Sequence, residues 1–380
     1  MHRGVAVKVA FQVDQLGFRA PGGIGTYVSR LLTAIPSADA GVDLVPFHAP
    51  FAGPVEAPLT SSGRRSVELR TPLRYLYPAW DLLGWPPLPA ALNACGVVHV
   101  TNPAGVAPAR RGQALIVTVH DLAFEHFPEA FPTAWLRLYR AGLRATVRRA
   151  DAILTPSRFT ADDVIRRTGV DAATVHVTPL AGLAPVADGA GDEQPEVQGV
   201  RPPYLLCVGT IERRKNLVRL VRAYRRLAAE GLPHALVLNG PMGWGADDVV
   251  SEARRDGAGR IVWSSGLSGA TFDALYRRAD AFAYPSLYEG FGLPVLEALQ
   301  HGLPVVASNA SSIPEVAGEA ALLVDPTDED ALTDALRRAL TDRELRADLA
   351  QRGPAQAARF SWEATARATL AAYRSAREAR

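Results

Sequence analysis

Ala281-Phe-Ala-Tyr-Pro-Ser-Leu-Tyr-Glu-Gly-Phe-Gly-Leu-Pro-Val-Leu-Glu-Ala-Leu-Gln300 decides the reading of this chain. Ala281–Tyr284 is a short apolar run and predicts a buried strand. Pro294 suits the first position of a helix, so a helix is expected to open there, with Glu297 in its first turn. Between them, Gly290-Phe-Gly-Leu293 predicts a flexible turn whose N–H groups look toward a helix N-terminus. Unpaired N–H groups and the helix dipole both favour an anion. Glu289 and Glu297 flank that seat, eight positions apart. Carboxylates on either side of an anion site suit a ligand with hydroxyls around a phosphate, as in a nucleotide sugar.

Moving outward, short apolar runs alternate with helical stretches, the pattern of parallel βαβ units. Val5–Val13, Val97–Thr101, Ala114–Thr118 and Ala152–Thr155 predict strands in the first half. Residues 25–35, 133–149 and 160–168 predict helices. Residues 184–203 are rich in Pro, Gly and acids and lack periodicity, which marks a linker. The alternation restarts with strands at Tyr204–Val208, Ala235–Leu238, Ile261–Trp263, Ala281–Tyr284, Pro304–Ala307 and Ala321–Val324. Helices are expected near 216–230, 271–278, 294–300 and 328–339, and again over 341–380. The fold class is therefore α/β, with two doubly wound Rossmann-like domains at 1–185 and 203–361 and a linker at 186–202. Such sheets bind ligands at the carboxyl ends of their strands, so a cleft between the two is the expected site.

Composition narrows the functions. The 380 residues are 48% hydrophobic and 21% charged, as in a globular protein, and a net charge of +2 gives no argument for nucleic acid. The positive excess lies in the first half. No apolar run is long enough to span a bilayer. The start, Met1-His-Arg-Gly4 before Val5–Phe11, has Lys8 within its apolar stretch and reads as a first strand rather than a signal peptide. Cys95 and Cys207 stand far apart and read as small buried hydrophobes in a reducing cytosol.

Several segments carry candidate chemistry. Gly22-Gly-Ile-Gly-Thr-Tyr27 follows the first strand, where Gly23 could bring backbone N–H groups to a ligand; a plain tight turn explains it as well. Its spacing is not that of the dinucleotide fingerprint. Gly209-Thr-Ile-Glu-Arg-Arg-Lys-Asn216 follows another strand and crowds Arg213, Arg214 and Lys215, an arrangement that calls for a neutralising anion. Lys215 is one of two lysines among 41 basic residues. His120 ends a strand and is the active-site choice among eight histidines, with His99, His126 and His301 left as structural. Asp162-Asp163 falls in an expected helix and Asp247-Asp248 follows a Gly-rich loop. Neither sits at a strand end, and no His or Cys spacing suits zinc, so no metal is expected. Arg137, Arg140, Arg144 and Arg148 form a stripe at helical spacing. It reads either as a solvated face or as a peripheral contact with anionic lipid through residues 133–149.

Taken together these segments resemble the retaining glycosyltransferases of family 4, which have the GT-B fold. Glu289–Glu297 matches that family's E-x7-E signature, and Gly22–Tyr27, Val119-His-Asp-Leu122, Thr155-Pro-Ser-Arg-Phe159 and Gly209–Asn216 occur in its order. The resemblance implies that Glu297 accepts the ribose hydroxyls and Glu289 holds the transferred sugar. It implies a diphosphate clamp of Arg214 and Lys215, aided by backbone N–H groups of Phe291, Gly292, Leu293 and Gly23. It places His120, with Glu289, among the catalytic residues beside the reacting carbon. Similar sequences often carry proline where Arg213 stands, which leaves open which arginine faces the phosphates. A final helix, about 362–380, is implied to cross back onto the N-terminal domain.

The expected activity is a metal-independent, cofactor-free hexosyl transfer in the cytoplasm, or at the inner face of its membrane. The donor is a nucleotide diphosphate sugar, GDP-mannose by style of sequence, with a UDP-hexose as the alternative. The acceptor is a glycan or a lipid-linked sugar, bound by the N-terminal domain. A nucleotide-dependent oxidoreductase and a non-catalytic nucleotide-sugar-binding subunit are the competing classes.

Overall fold

The structure is a computed structural model that describes residues 7–18, 22–50, 65–183, 199–267 and 269–380. The chain divides into two units, residues 1–180 with 361–380, and residues 181–360. Most of the expected linker, 184–198, and the first residues of the expected first strand, Val5 and Ala6, lie outside the described residues.

The first unit holds a seven-stranded sheet. Its strands are β1 (Val7–Gln12), β2 (Val42–His48), β3 (Val67–Glu68), β4 (Val97–Val100), β5 (Ala114–Thr118), β6 (Ala152–Thr155) and β7 (Val175–Val177). They run in the order β3-β2-β1-β4-β5-β6-β7, and every pairing is parallel. The central strands β4, β5 and β6 are buried along their whole length, as a parallel sheet covered by helices on both faces requires. Between β2 and β4 the chain adds the helix Leu73–Leu83. The last helix, Trp362–Glu378, packs in this unit against the helix Gly22–Ala38. There Thr365 Oγ1 donates to the Pro179 carbonyl, and Arg374 pairs with Asp39 at 2.9 Å.

The second unit holds six strands: β8 (Tyr204–Val208), β9 (Ala235–Asn239), β10 (Ile261–Ser264), β11 (Ala281–Tyr284), β12 (Val305–Ser308) and β13 (Leu322–Val324). Their order is β10-β9-β8-β11-β12-β13, again parallel throughout. The order reverses between β8 and β11, which makes their carboxyl ends the topological switch point where such sheets bind ligands. Leu205, Leu236, Leu238, Ala281 and Val306 pack under the helices Leu217–Ala229 and Glu329–Thr341 to form its core.

Several expectations need correction. The glycine segment is not a turn ahead of a helix at 25. The helix begins at Gly22, which turns the chain with φ +59°, and Gly23 lies in its first turn. Glycine costs little there, because first-turn N–H groups have no intrahelical acceptor to lose. Glu297 stands past the first turn, since the helix runs Leu293–Gln300 from the left-handed cap Gly292. The strands β2 and β7 carry no expectation in the sequence. Asp43 and Pro46 interrupt the apolar run of β2, and Val-His-Val of β7 is a half-buried edge.

Within the helix Thr133–Arg149, two effects oppose each other at Gly142. Helix propensity favours alanine over glycine by about 1 kcal/mol. A Cβ there would lie 1.7 Å from the backbone oxygen of Pro103, which cannot swing aside. Overpacking of this kind costs about 1–3 kcal/mol, and a collision with main chain belongs at the upper end of that range. Gly142→Ala is therefore expected to destabilise the protein by about 1 kcal/mol or more. Urea unfolding reads this as a lower midpoint at unchanged slope.

Candidate active site

Two loops meet at the switch point of the second sheet. The first leaves β8 and carries Glu212, Arg214 and Lys215, the last two within a single turn of 3-10 helix, Arg213–Lys215. It ends at Asn216, a non-glycine residue at φ +58°. The Asn216 amide donates to the carbonyls of Pro285 and Pro326, at 3.1 and 2.6 Å, tying this loop to those after β11 and β13. The second loop leaves β11 through Glu289 to Gly292. Ser312 Oγ lies 2.9 Å from the carbonyls of both Glu289 and Phe291, and the Glu289 N–H donates to Ser311 Oγ. Gly292 has φ +105°, and a Cβ there would sit 2.6 Å from Ile313 Cδ1. Only glycine makes that corner without strain.

The side chains of the two loops join. Lys215 Nζ donates to Glu289 Oε1 at 2.6 Å and to the Tyr284 hydroxyl at 2.7 Å. Arg214 donates to Glu289 Oε2 at 2.8 Å, to the Tyr288 carbonyl at 2.7 Å and to Glu212 at 2.7 Å. Lys215 and Glu289 are both buried. Burial by itself pushes the Glu289 carboxyl up, but the Arg214 and Lys215 charges outweigh it and hold Glu289 down at about 2.

The sequence argument that these cations call for an outside anion meets internal counter-charges in this arrangement. Arg213 points elsewhere, to a half-exposed pair with Asp248 at 2.7 Å, and Glu212 and Glu289 balance Arg214 and Lys215. One feature of that argument survives. An ammonium has three N–H donors, and Lys215 has acceptors for two of them among the described residues.

Glu297 occupies the opposite environment. It is buried, with the Tyr276 hydroxyl donating to Oε2 at 2.9 Å. Desolvation pushes its carboxyl up to about 7, the tyrosine pulling it part of the way back. Tyr276 stacks on His301 at 5.1 Å, and His301 bonds Asp273 at 2.8 Å, which fixes the ring behind the carboxyl. Tyr284 lies within electrostatic range of Tyr276, so the two carboxylates are two tyrosines apart. Neither tyrosine nor the Ser311-Ser312 brace was singled out from the sequence. The position of Tyr284 at a strand end is the one local signal that marks it.

In the first unit, His120 lies just past the end of β5. Its Nε2 sits 2.9 Å from the Thr101 carbonyl, which can only accept, so this nitrogen carries the proton. Burial holds the imidazole below its usual range, the carbonyl acting the other way, and the ring is neutral near pH 7. Its other nitrogen, Nδ1, is then an acceptor. The Tyr27 ring meets His120 edge-on at 4.9 Å, and the Tyr27 hydroxyl lies 2.9 Å from Thr118 Oγ1. Thus the glycine segment and the histidine segment meet through Tyr27, four residues beyond Gly23. His99 is locked at 2.7 Å to the Tyr373 hydroxyl and at 2.8 Å to Thr118 Oγ1. His126 and Asp163 lie 2.7 Å apart, Asp163 also holding Arg166 and Arg167, while Asp162 is exposed. Cys95 and Cys207 are free and buried, one in each unit.

Comparison with known proteins places these features. Residues 21–181 match the family model "Glycosyltransferase Family 4", and residues 192–356 match "Glycosyl transferases group 1". The O-antigen chain mannosyltransferase B of Escherichia coli is 36% identical over 266 residues, covering 68% of this chain and 70% of that protein. The MMP alpha-(1->4)-mannosyltransferase of Mycolicibacterium hassiacum is 31% identical over 288 residues, covering 70% of this chain and 67% of that protein. Among solved structures, HepE of Anabaena in complex with UDP-glucose has a TM-score of 0.70 at 18% identity, covering 96% of this chain and 99% of that one.

The opposed carboxylates make a pH prediction. The Glu297 carboxyl sits near 7 when folded and near 4.5 when unfolded, so the stability it contributes is full below pH 4.5 and lost as pH rises to about 7. Glu297→Gln removes that loss. Its thermal midpoint relative to wild type is expected to climb between pH 4.5 and 7, by the equivalent of about 3 kcal/mol, and then level off. A difference that is flat across this window would overturn the assignment.

Proposed function

This chain belongs to glycosyltransferase family 4 and is a hexosyltransferase; we propose on that premise that it moves mannose from GDP-mannose to a hydroxyl of a glycan or lipid-linked sugar, retaining the anomeric configuration. The observation that carries the donor site is the buried Lys215, at a switch point, with acceptors for two of its three ammonium N–H groups among the described residues, Glu289 and Tyr284. Breaking the bond from sugar to phosphate puts charge on the leaving diphosphate. A fixed cation and the N–H groups of Phe291, Gly292 and Leu293, at the start of the helix Leu293–Gln300, lower the barrier by meeting that charge. Arg214 and Lys215 take the part a metal ion would otherwise play, so the reading needs none.

Glu289, held ionised, is the acceptor for hydroxyls of the transferred sugar. Glu297 is the acceptor for the ribose, and Gly23 adds a backbone donor. His120 is the residue beside the reacting carbon, a neutral imidazole whose Nδ1 can accept a hydrogen bond from a sugar hydroxyl. Glu289, bound on both oxygens, is not free to act as the carboxylate nucleophile of a retaining hydrolase. Front-face attack, with the departing phosphate taking the acceptor's proton, fits the groups present.

The names of the curated relatives support mannose and, for the Escherichia coli protein, a polysaccharide acceptor. The UDP-glucose complex of HepE supports the second reading, a UDP-hexose donor. The described helices include none long and apolar enough to cross a membrane. A cytoplasmic enzyme touching a membrane surface is the location that goes with a lipid-linked acceptor.

Two measurements test this. Lys215→Ala should lower turnover, read as release of nucleoside diphosphate, by about 10²–10³-fold with the fold retained; near-normal turnover removes the clamp. Calorimetric titration should give tighter binding of GDP than UDP, and Glu297→Ala should weaken it. Tighter UDP binding replaces the donor, and unchanged affinity in the variant withdraws the ribose role.

A further inference from the structure

The helix Leu73–Leu83 is amphipathic the wrong way round for a helix whose outer face meets water. Its inner side buries Leu76, Tyr77 and Trp80 in the core of the first unit. Its outer side exposes Tyr75 at 60%, Leu82 at 67% and Leu83 at 77%, and the next turn exposes Trp85 at 64%. Scattered exposed apolar residues are ordinary, but four on one helix and the turn that ends it form a patch that asks for a partner.

The charged residues of the two helices that meet here, Leu73–Leu83 and Thr133–Arg149, are arginines apart from Asp81. The helix Thr133–Arg149 packs beside Leu73–Leu83 and contains no acidic residue. The single acid of the shorter helix, Asp81, faces inward, where it accepts the N–H groups of Gly105 and Val106 at 3.0 and 2.7 Å. Arg149 donates to the Trp80 carbonyl at 3.0 Å, which sets the end of the long helix against the Leu82–Trp85 tip. Next to it Arg148 is exposed, and Arg144 and Arg137 continue the same stripe in solvent. Arg140, the fourth arginine of that stripe in the sequence, is drawn aside by Glu125. Across the tip, Arg110 reaches the Leu88 carbonyl.

From this juxtaposition we infer that the outer face of Leu73–Trp85, with the arginine stripe Arg137, Arg144 and Arg148, docks on an anionic lipid bilayer. This deepens the membrane-contact reading above and names the surface that makes it. Leucine and tryptophan enter the interface between headgroup and acyl chain, while arginine remains with the phosphates. A second copy docking through the same face would set like charges against each other, which disfavours a symmetric dimer.

The full chain is tested by flotation with vesicles of phosphatidylcholine alone and of phosphatidylcholine mixed with phosphatidylglycerol. Binding is expected to the mixed vesicles and to fall with added salt. The Leu82→Asp, Leu83→Asp variant should lose it. Arg144→Gln with Arg148→Gln should weaken it about thirtyfold, since each arginine near an anionic surface is worth about fivefold. Thermal midpoint and nucleotide release should stay at wild-type values in both variants, which separates this inference from the transferase reading. Absence of binding to mixed vesicles overturns it, as does binding that both variants retain. A dimer seen by light scattering that the leucine variant abolishes, without vesicle binding, assigns the face to a second copy instead.

Discussion

The second unit is organised by the buried pair of Lys215 and Glu289. Each residue comes from a different loop at the switch point, one after β8 and one after β11. A buried charge is costly unless it is paired and hydrogen-bonded, so neither loop can move away without stranding its partner. The surrounding backbone reinforces the same junction. The Leu287 N–H donates to the Arg214 carbonyl, and Asn216 fastens the first loop to the other two. A rigid scaffold under mobile ligands is what electrostatic catalysis needs, because dipoles that are already aimed cost nothing to reorganise.

Two glutamates on one strand-turn-helix are driven in opposite directions by their neighbours. Glu289 has two cations and stays ionised; Glu297 has a tyrosine hydroxyl and burial, and holds its proton to near neutrality. The same side chain is thereby prepared for two tasks, an ionised acceptor and one that switches near neutral pH. A basic ligand group or a hydroxyl pair arriving at Glu297 would shift that balance toward the carboxylate.

The first unit prepares a histidine by a different route. The Thr101 carbonyl fixes the tautomer of His120, and Tyr27, from the glycine-led helix, packs its ring. Behind Thr118 stands His99, and behind His99 stands Tyr373 on the last helix. The last helix thus braces the strand that leads into His120, which gives that helix a reason to be where it is.

Much of the fold is legible because fully buried parallel strands are short apolar runs. Tyr204–Val208, Ala281–Tyr284 and Ala114–Thr118 could be read directly. β2 could not, since Asp43 and Pro46 break its run, and its place is decided by pairing with β1. The local sequence determined which residue types gather at the strand ends: glutamates around a glycine corner, cations after β8, a histidine after β5. It did not determine who pairs with whom. That Arg213 goes to Asp248 while Arg214 goes to Glu289, and that Glu297 has a tyrosine and no cation partner among the described residues, depends on contacts across dozens of residues. Spacing along the chain carries the local geometry of a turn or a helix face, whereas the charge state of a buried group is the sum of everything folded around it, and only the tertiary structure supplies that sum.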